Sequence, residues 1–208
     1  MNFSPFSYNW LVKKNIRKTT IKTILDLGCG EGSFGLRFNK NNEYKITGID
    51  IYSPYLKKCL SRGKYKRVIK ANLAKKIHLP DKSYDLVVCL ETIEHLKKDQ
   101  GLKLLEEAER IAKKMIIFSC PVGVAAQENF DKNKFQEHLS SWYPEEFSKR
   151  DYQVYGIGLK MVYGKHTHVN HRIKIYTAPF YLLSFLANPI ANLFPVIGAQ
   201  MIAVKKND

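Results

Sequence analysis

Along most of the chain, short apolar runs alternate with stretches whose apolar residues recur every three or four positions. Thr23-Ile-Leu-Asp-Leu27 reads as a strand, followed by a Gly-rich turn and a helix over Ser33–Asn39. Lys45–Asp50 is a second strand, and Pro54–Arg62 is a helix with Pro at its start, where the missing N–H has no partner to lose. Arg67–Lys70 is a short third strand. Tyr84–Leu90 is almost unbroken in apolar character, as expected of a strand covered on both faces. Leu102–Ala112 is amphipathic at the helical period, Met115–Ser119 is another buried strand, and Gln153–Ile157 and Ile197–Lys205 supply the last two. The alternation predicts one α/β domain over residues 1–208, a seven-stranded and mostly parallel sheet flanked by helices. Residues 1–20 read as an N-terminal helix or extension. The connection 158–196 exceeds an ordinary loop and reads as an insertion or cap between the last two strands.

Composition adds constraints. With 208 residues, 45% hydrophobic and 25% charged, the chain is long enough for a sizeable core and is neither disordered nor fibrous. Lys and Arg number 34 against 19 Asp and Glu, a net charge of +15 that favours anionic partners without bearing on fold. The four cysteines (Cys29, Cys59, Cys89, Cys120) lie about thirty residues apart with no CxxC pair, which fits reduced, buried thiols of a cytoplasmic protein. Residues 1–18 hold no uninterrupted apolar core of a signal peptide. From Ile175 to Val204 there is no charged residue, yet Pro179, Pro189 and Pro195 with Asn188, Asn192 and Gln200 burden any spanning helix. Residues 175–196 are therefore read as a patch that touches a membrane surface, giving a cytoplasmic protein with membrane association.

The densest chemical signal is Asp26-Leu-Gly28-Cys29-Gly30-Glu-Gly32, set between a strand and a helix. Glycines there let the backbone turn tightly and approach a nucleotide. Asp50 closes the next strand, where a carboxylate can accept from both ribose hydroxyls. Asp26 can hold an ammonium group, which an amino-acid-bearing cofactor has and a nicotinamide dinucleotide lacks. No P-loop pattern is present.

These residues resemble class I S-adenosylmethionine-dependent methyltransferases, whose fold is Rossmann-like. ILDLGCGEG at 24–32, ITGIDI at 46–51, KANL at 70–73 and LPDKSYDLVVCLETIEHL at 79–96 follow in the family's order. The resemblance implies S-adenosylmethionine as cofactor, with Asp26, Gly28 and Gly30 around its methionine part. It implies Asp50 and Ile51 at ribose and adenine, and Asn72 and Leu73 at the adenine edge. Cys29, Gly32 and Leu90 complete that cofactor-binding set.

A second constellation, Glu91-Thr-Ile-Glu94-His95, follows the fourth strand. If this segment is helical, positions i, i+3 and i+4 share one face. His138 comes shortly after the fifth strand and can reach the same rim. Two carboxylates and two imidazoles can act as a base or hold Mg or Mn; they can equally line a pocket or cap a helix. The pattern is similar to small-RNA 3′-terminal 2′-O-methyltransferases, in which Glu91, Glu94, His95 and His138 would be metal ligands, and to ubiquinone-biosynthesis O-methyltransferases. The former carry additional substrate-binding modules, which are not expected in these 208 residues.

The resulting expectation is O-methylation of a small or lipid-like acceptor, with Glu94, His95 and His138 at the acceptor side. The alternatives are an RNA 2′-O-methyltransferase with a divalent metal and a non-catalytic nucleotide-binding module. Three further features are weaker. Lys57 to Pro80 holds nine Lys or Arg and no acid, which reads as a solvated face or a phosphate-contacting stripe. His166-Thr-His168-Val-Asn-His171 reads as a basic flap. Phe130, Phe135, Trp142, Tyr143, Tyr152 and Tyr155 read as mostly core, with a few walling the acceptor pocket.

Overall fold

The computed structural model describes residues 5–125, 133–160 and 178–207. The His166, His168 and His171 run, Phe130 and much of the 158–196 connection therefore lie outside the described residues. Seven strands form one sheet: β1 (Thr23–Leu27), β2 (Lys45–Asp50), β3 (Arg67–Lys70), β4 (Tyr84–Leu90), β5 (Ala112–Pro121), β6 (Gln153–Ile157) and β7 (Gln200–Lys206). Their spatial order is β3-β2-β1-β4-β5-β7-β6. Strands β1 to β5 run parallel, and β7 lies antiparallel between β5 and β6. The helices are α1 (Tyr8–Arg17), α2 (Ser33–Phe38), α3 (Ser53–Ser61), α4 (Lys98–Ile111), α5 (Pro144–Ser148), α6 (Ala178–Leu186) and α7 (Asn188–Leu193).

The apolar run of β4 serves two cores at once. Val87 and Cys89 face a layer built with Leu104 and Leu105 of α4, whereas Leu86 and Val88 face one built with Leu11 and Ile16 of α1. Strand alternation thus places successive side chains in opposite layers, and neither can be polar. Among the described residues all four cysteines are free and buried.

Several element boundaries differ from the sequence reading, most by a single residue and those of three elements by more. Helix α4 starts four residues earlier, because Gln100 Oε1 accepts the Lys97 N–H at 3.3 Å and closes the first turn. Strand β5 extends to Pro121, where Pro121 pairs with Gln200. Strand β7 begins at Gln200 rather than Ile197, since Pro195–Ile197 forms a 3-10 turn. The end of the insertion is a helix pair held to β6 by polar anchors. Asn188 Oδ1 accepts from Gly158 N at 2.8 Å, Ser184 Oγ from Leu159 N at 2.8 Å, and Asn192 Nδ2 donates to Gly156 O at 2.6 Å. The asparagines that argue against a spanning helix are these anchors. No helix among the described residues is long and apolar enough to cross a membrane.

Candidate active site

The parallel strands point their carboxyl ends at one rim, where an open α/β sheet binds its ligand. After β1 the chain turns through Gly28, whose N–H, with that of Cys29, donates to the Ile49 carbonyl at the end of β2 (2.8 and 3.0 Å). Gly28 has φ +77°, and a Cβ there would overlap the Thr92 side chain. Gly30 N–H donates to Asp50 Oδ2 at 2.9 Å, and Tyr52 N–H to Asp50 Oδ1 at 2.8 Å, so turn and carboxylate are locked together. Each carboxylate oxygen keeps a second lone pair for a ribose hydroxyl. Asp26 is 3% exposed and accepts a short hydrogen bond from the Tyr65 hydroxyl. Burial pushes its pKa up to about 7, helped by the Asp50 charge and opposed by the Tyr65 donor.

A cavity of about 500 Å³ opens at this rim. Of the expected cofactor residues, Asp26, Gly28, Cys29, Gly30, Asp50, Ile51, Asn72, Leu73 and Leu90 line it. Gly32 does not. It is the N-cap of α2 at φ +84°, where a Cβ would crowd Cys59 and Tyr65. Asn72 Oδ1 accepts from Ala74 N at 2.9 Å, which fixes the loop after β3 at the wall.

The ExxEH segment departs from the helical expectation. Ile93–His95 is a single 3-10 turn, and Glu91 precedes it at φ +51°, a left-handed conformation, so Glu91 and Glu94 do not share a helix face. Its carboxylate accepts from Ser119 Oγ at 2.7 Å and Gln200 Nε2 at 3.0 Å, and Tyr8 OH donates to Ser119 Oγ at 2.7 Å. Glu91 lines the cavity, yet it stands outside the group that could ligate a metal. That group is Glu94, His95 and His138, one ligand atom of each lying within 4.8 Å of the others.

Backbone bonds bring His138 there from 43 residues away. The Glu94 carbonyl accepts from Leu139 N (2.8 Å) and Ser140 N (3.1 Å), stitching the loop before Trp142 onto the 3-10 turn. His95 Nδ1 faces the Glu137 carbonyl at 3.1 Å, and His138 Nδ1 faces that of Ala125 at 2.6 Å. A carbonyl only accepts, so both rings are assigned the Nδ1–H tautomer, which leaves each Nε2 with a lone pair. Burial holds the His95 pKa down at about 4. Glu94 is 3% exposed, and its Oε2 has no hydrogen-bond partner. Burial and the Glu91 charge push its pKa well up. His95 lines the cavity; Glu94 and His138 stand behind it.

Tyr8, Phe34, Arg37 and Phe38 line the cavity without having been expected there, and Phe135 is one of the aromatics that wall it. Trp142 and Tyr152 are core as expected.

Residues 24–115 match the family model described as a methyltransferase domain. The match spans the Gly-rich turn, Asp50 and the ExxEH segment, so this part of the chain carries the sequence pattern of a methyltransferase domain. An uncharacterized protein of Methanocaldococcus jannaschii is 35% identical over 119 residues, 54% of this chain and 47% of that one. A ubiquinone biosynthesis O-methyltransferase of Rickettsia bellii is 26% identical over 156 residues, 68% and 60% of the two chains. The chain thus spans roughly half to three fifths of the length of these curated relatives. An Archaeoglobus fulgidus SAM-dependent methyltransferase superposes over 96% of this chain and 94% of its own (TM-score 0.60, 22% identity). The methyltransferase domain of bacterial Hen1 does so over 96% and 97% (TM-score 0.56, 20% identity). At these identities the two structures establish the fold of the methyltransferase domain and no more.

Proposed function

We propose that the domain transfers the sulfonium methyl to a hydroxyl oxygen of a small or lipid-like acceptor. The observation that carries this reading is His95, held neutral and tautomer-fixed in the same cavity as Asp26 and Asp50. Asp26 binds the cofactor's ammonium and Asp50 its ribose hydroxyls, while Ile51, Asn72 and Leu73 hold the adenine. The sulfonium carbon is already electrophilic, so no covalent nucleophile is needed. The acceptor oxygen attacks in line with the C–S bond; the O–CH3 bond forms as S–CH3 breaks, and S-adenosylhomocysteine leaves. The hydroxyl proton passes to His95 Nε2. Phe34, Phe38 and Phe135 add apolar surface to a wall that also carries Arg37, Gln100 and Gln136, which suits an acceptor with a greasy skeleton and polar substituents.

Calorimetry tests the donor half directly. S-adenosylhomocysteine binds the wild type, Asp50→Ala weakens it at least tenfold, and His95→Ala leaves it unchanged. With a phenol and lipid-alcohol panel, His95→Ala lowers turnover by about 10² to 10⁴, the usual range for a general base. Failure of the wild type to bind S-adenosylhomocysteine refutes the reading. Binding without turnover on any acceptor favours a non-catalytic module.

The orphaned Oε2 of Glu94 supports a second reading, in which Glu94, His95 and His138 hold Mg or Mn. The residues fit: carbonyl acceptors orient both imidazoles, as outer partners do around bound metals. Such an ion would lower the pKa of a coordinated hydroxyl and suit a vicinal diol such as an RNA 3′ end. Manganese titration of the S-adenosylhomocysteine-loaded protein decides between the two: saturable binding lost in His138→Ala supports the ion, and no binding leaves His95 as the base.

A further inference from the structure

We propose that a basic cleft beside the cofactor cavity binds the phosphate group of a phosphorylated methyl acceptor; the assignment rests on the methyl-transfer reading above. The cleft, of about 440 Å³, lies between α1 and the end of α2. Lys13, Arg17, Arg37 and Lys40 line it against a single carboxylate, Glu43. Ile16 and Phe38 give it an apolar floor, and the half-buried Tyr44 adds a phenol donor to its wall. Elsewhere, Arg62, Arg110 and Arg150 each pair with a carboxylate. Among the described residues Arg17 and Arg37 form no such pair.

Concentrated positive charge with planar guanidinium forks fits a dianion with several oxygens better than a lone carboxylate. Two of its lining residues decide what that anion belongs to. Arg37 and Phe38 line both the cleft and the cofactor cavity, so the two spaces adjoin at these two side chains. A phosphate in the cleft and an organic skeleton passing Phe38 into the cavity can belong to one molecule. The cleft therefore selects acceptors that carry a phosphate ester, and Arg37 stands where ester and skeleton meet.

The test titrates inorganic phosphate and phenyl phosphate into S-adenosylhomocysteine-loaded protein at fixed ionic strength. The expected result is saturable binding of both, with phenyl phosphate at least tenfold tighter because its ring enters the cavity. Lys13→Gln/Arg17→Gln weakens both at least tenfold and leaves S-adenosylhomocysteine affinity unchanged. Lys57→Gln/Lys75→Gln, which removes the same charge outside the cleft lining, changes neither. Equal loss in the two double variants would mean diffuse surface charge and overturn the site. Equal affinity for the two phosphates would leave a free-anion site and overturn the acceptor assignment. A single-stranded RNA decamer binding a hundredfold tighter than phenyl phosphate would overturn the small acceptor in favour of a phosphodiester strand. Because S-adenosylhomocysteine binding is read on the same sample, loss of that binding refutes methyl transfer, and its retention without phosphate binding refutes the cleft.

Discussion

At the scale of single residues, Asp26 makes cofactor binding sensitive to pH. Its carboxyl, buried beside Tyr65 and near Asp50, titrates at about 7 in the unliganded domain. A bound ammonium favours the ionised form, so binding below that pH must expel a proton. S-adenosylhomocysteine affinity should rise about tenfold from pH 6 to pH 8, following the ionised fraction, and then level off. Calorimetry in buffers of different ionisation heat should find close to one proton released at pH 6 and none at pH 8.5. Asp26→Asn should bind weakly with no such slope, and a flat profile in the wild type would exclude the ammonium contact. The glycines of the same turn separate two physical effects. Gly30 has φ +50° with open space where a Cβ would stand, so Gly30→Ala carries only the left-handed backbone penalty of about 1–2 kcal/mol. Gly28→Ala carries that penalty and a collision with Thr92, which must push the 3-10 turn bearing His95. Denaturant unfolding should rank Gly28→Ala below Gly30→Ala by a further 1–3 kcal/mol, roughly the cost of overpacking.

At the scale of elements, α1 is fastened to the rim by the chain Tyr8–Ser119–Glu91–Gln200. Ser119→Ala leaves a buried carboxylate short of one donor and Tyr8 without its acceptor. The expected loss is about 1–3 kcal/mol of stability, against about 1 kcal/mol for Tyr8→Phe. Faster amide exchange in α1 than in α4 would locate the loss, and unchanged exchange in α1 would mean that the chain does not hold it. This network marks where sequence reading stops. Strands β1, β2, β3, β4 and β6 are legible to the residue because each apolar run ends at a turn signal. The Gly-rich turn and Asp50 are legible because their spacing is local. Glu91 is not. Helical spacing puts it on a face with Glu94, but one left-handed backbone angle sends it to Ser119, and nothing in Glu-Thr-Ile-Glu-His announces that angle. Tyr8 is invisible for a similar reason: its partner lies 111 residues away, and no local pattern encodes so distant a pairing. His138 lies between these cases, since its residue type suggests a role while only the backbone bonds to Glu94 place it.

At the scale of the whole molecule, the apolar helix pair and the cavity share one rim. Strand β7 runs antiparallel to β5, so the segment entering it, α6, α7 and the Pro195–Ile197 turn, lies at the carboxyl end of β5. There the large apolar side chains face outward: Leu186 is 64% exposed, Leu193 77%, Phe194 61% and Val196 60%. Such a contiguous patch on a protein of net charge +15 fits an anionic lipid surface, where apolar side chains insert and the charge adds attraction. Bound this way, the rim would present the cavity to acceptors lying in the membrane interface, with no spanning helix involved. Sedimentation should retain the protein on vesicles of phosphatidylglycerol and less on phosphatidylcholine alone. Leu186→Ser/Leu193→Ser/Phe194→Ser should lower the partition coefficient at least tenfold while S-adenosylhomocysteine affinity stays unchanged. High salt should weaken wild-type binding without abolishing it, because screening removes the Coulomb part and leaves the apolar part. Loss of all binding in salt would reduce the contact to charge alone, and retention of the triple variant would assign the patch to another partner.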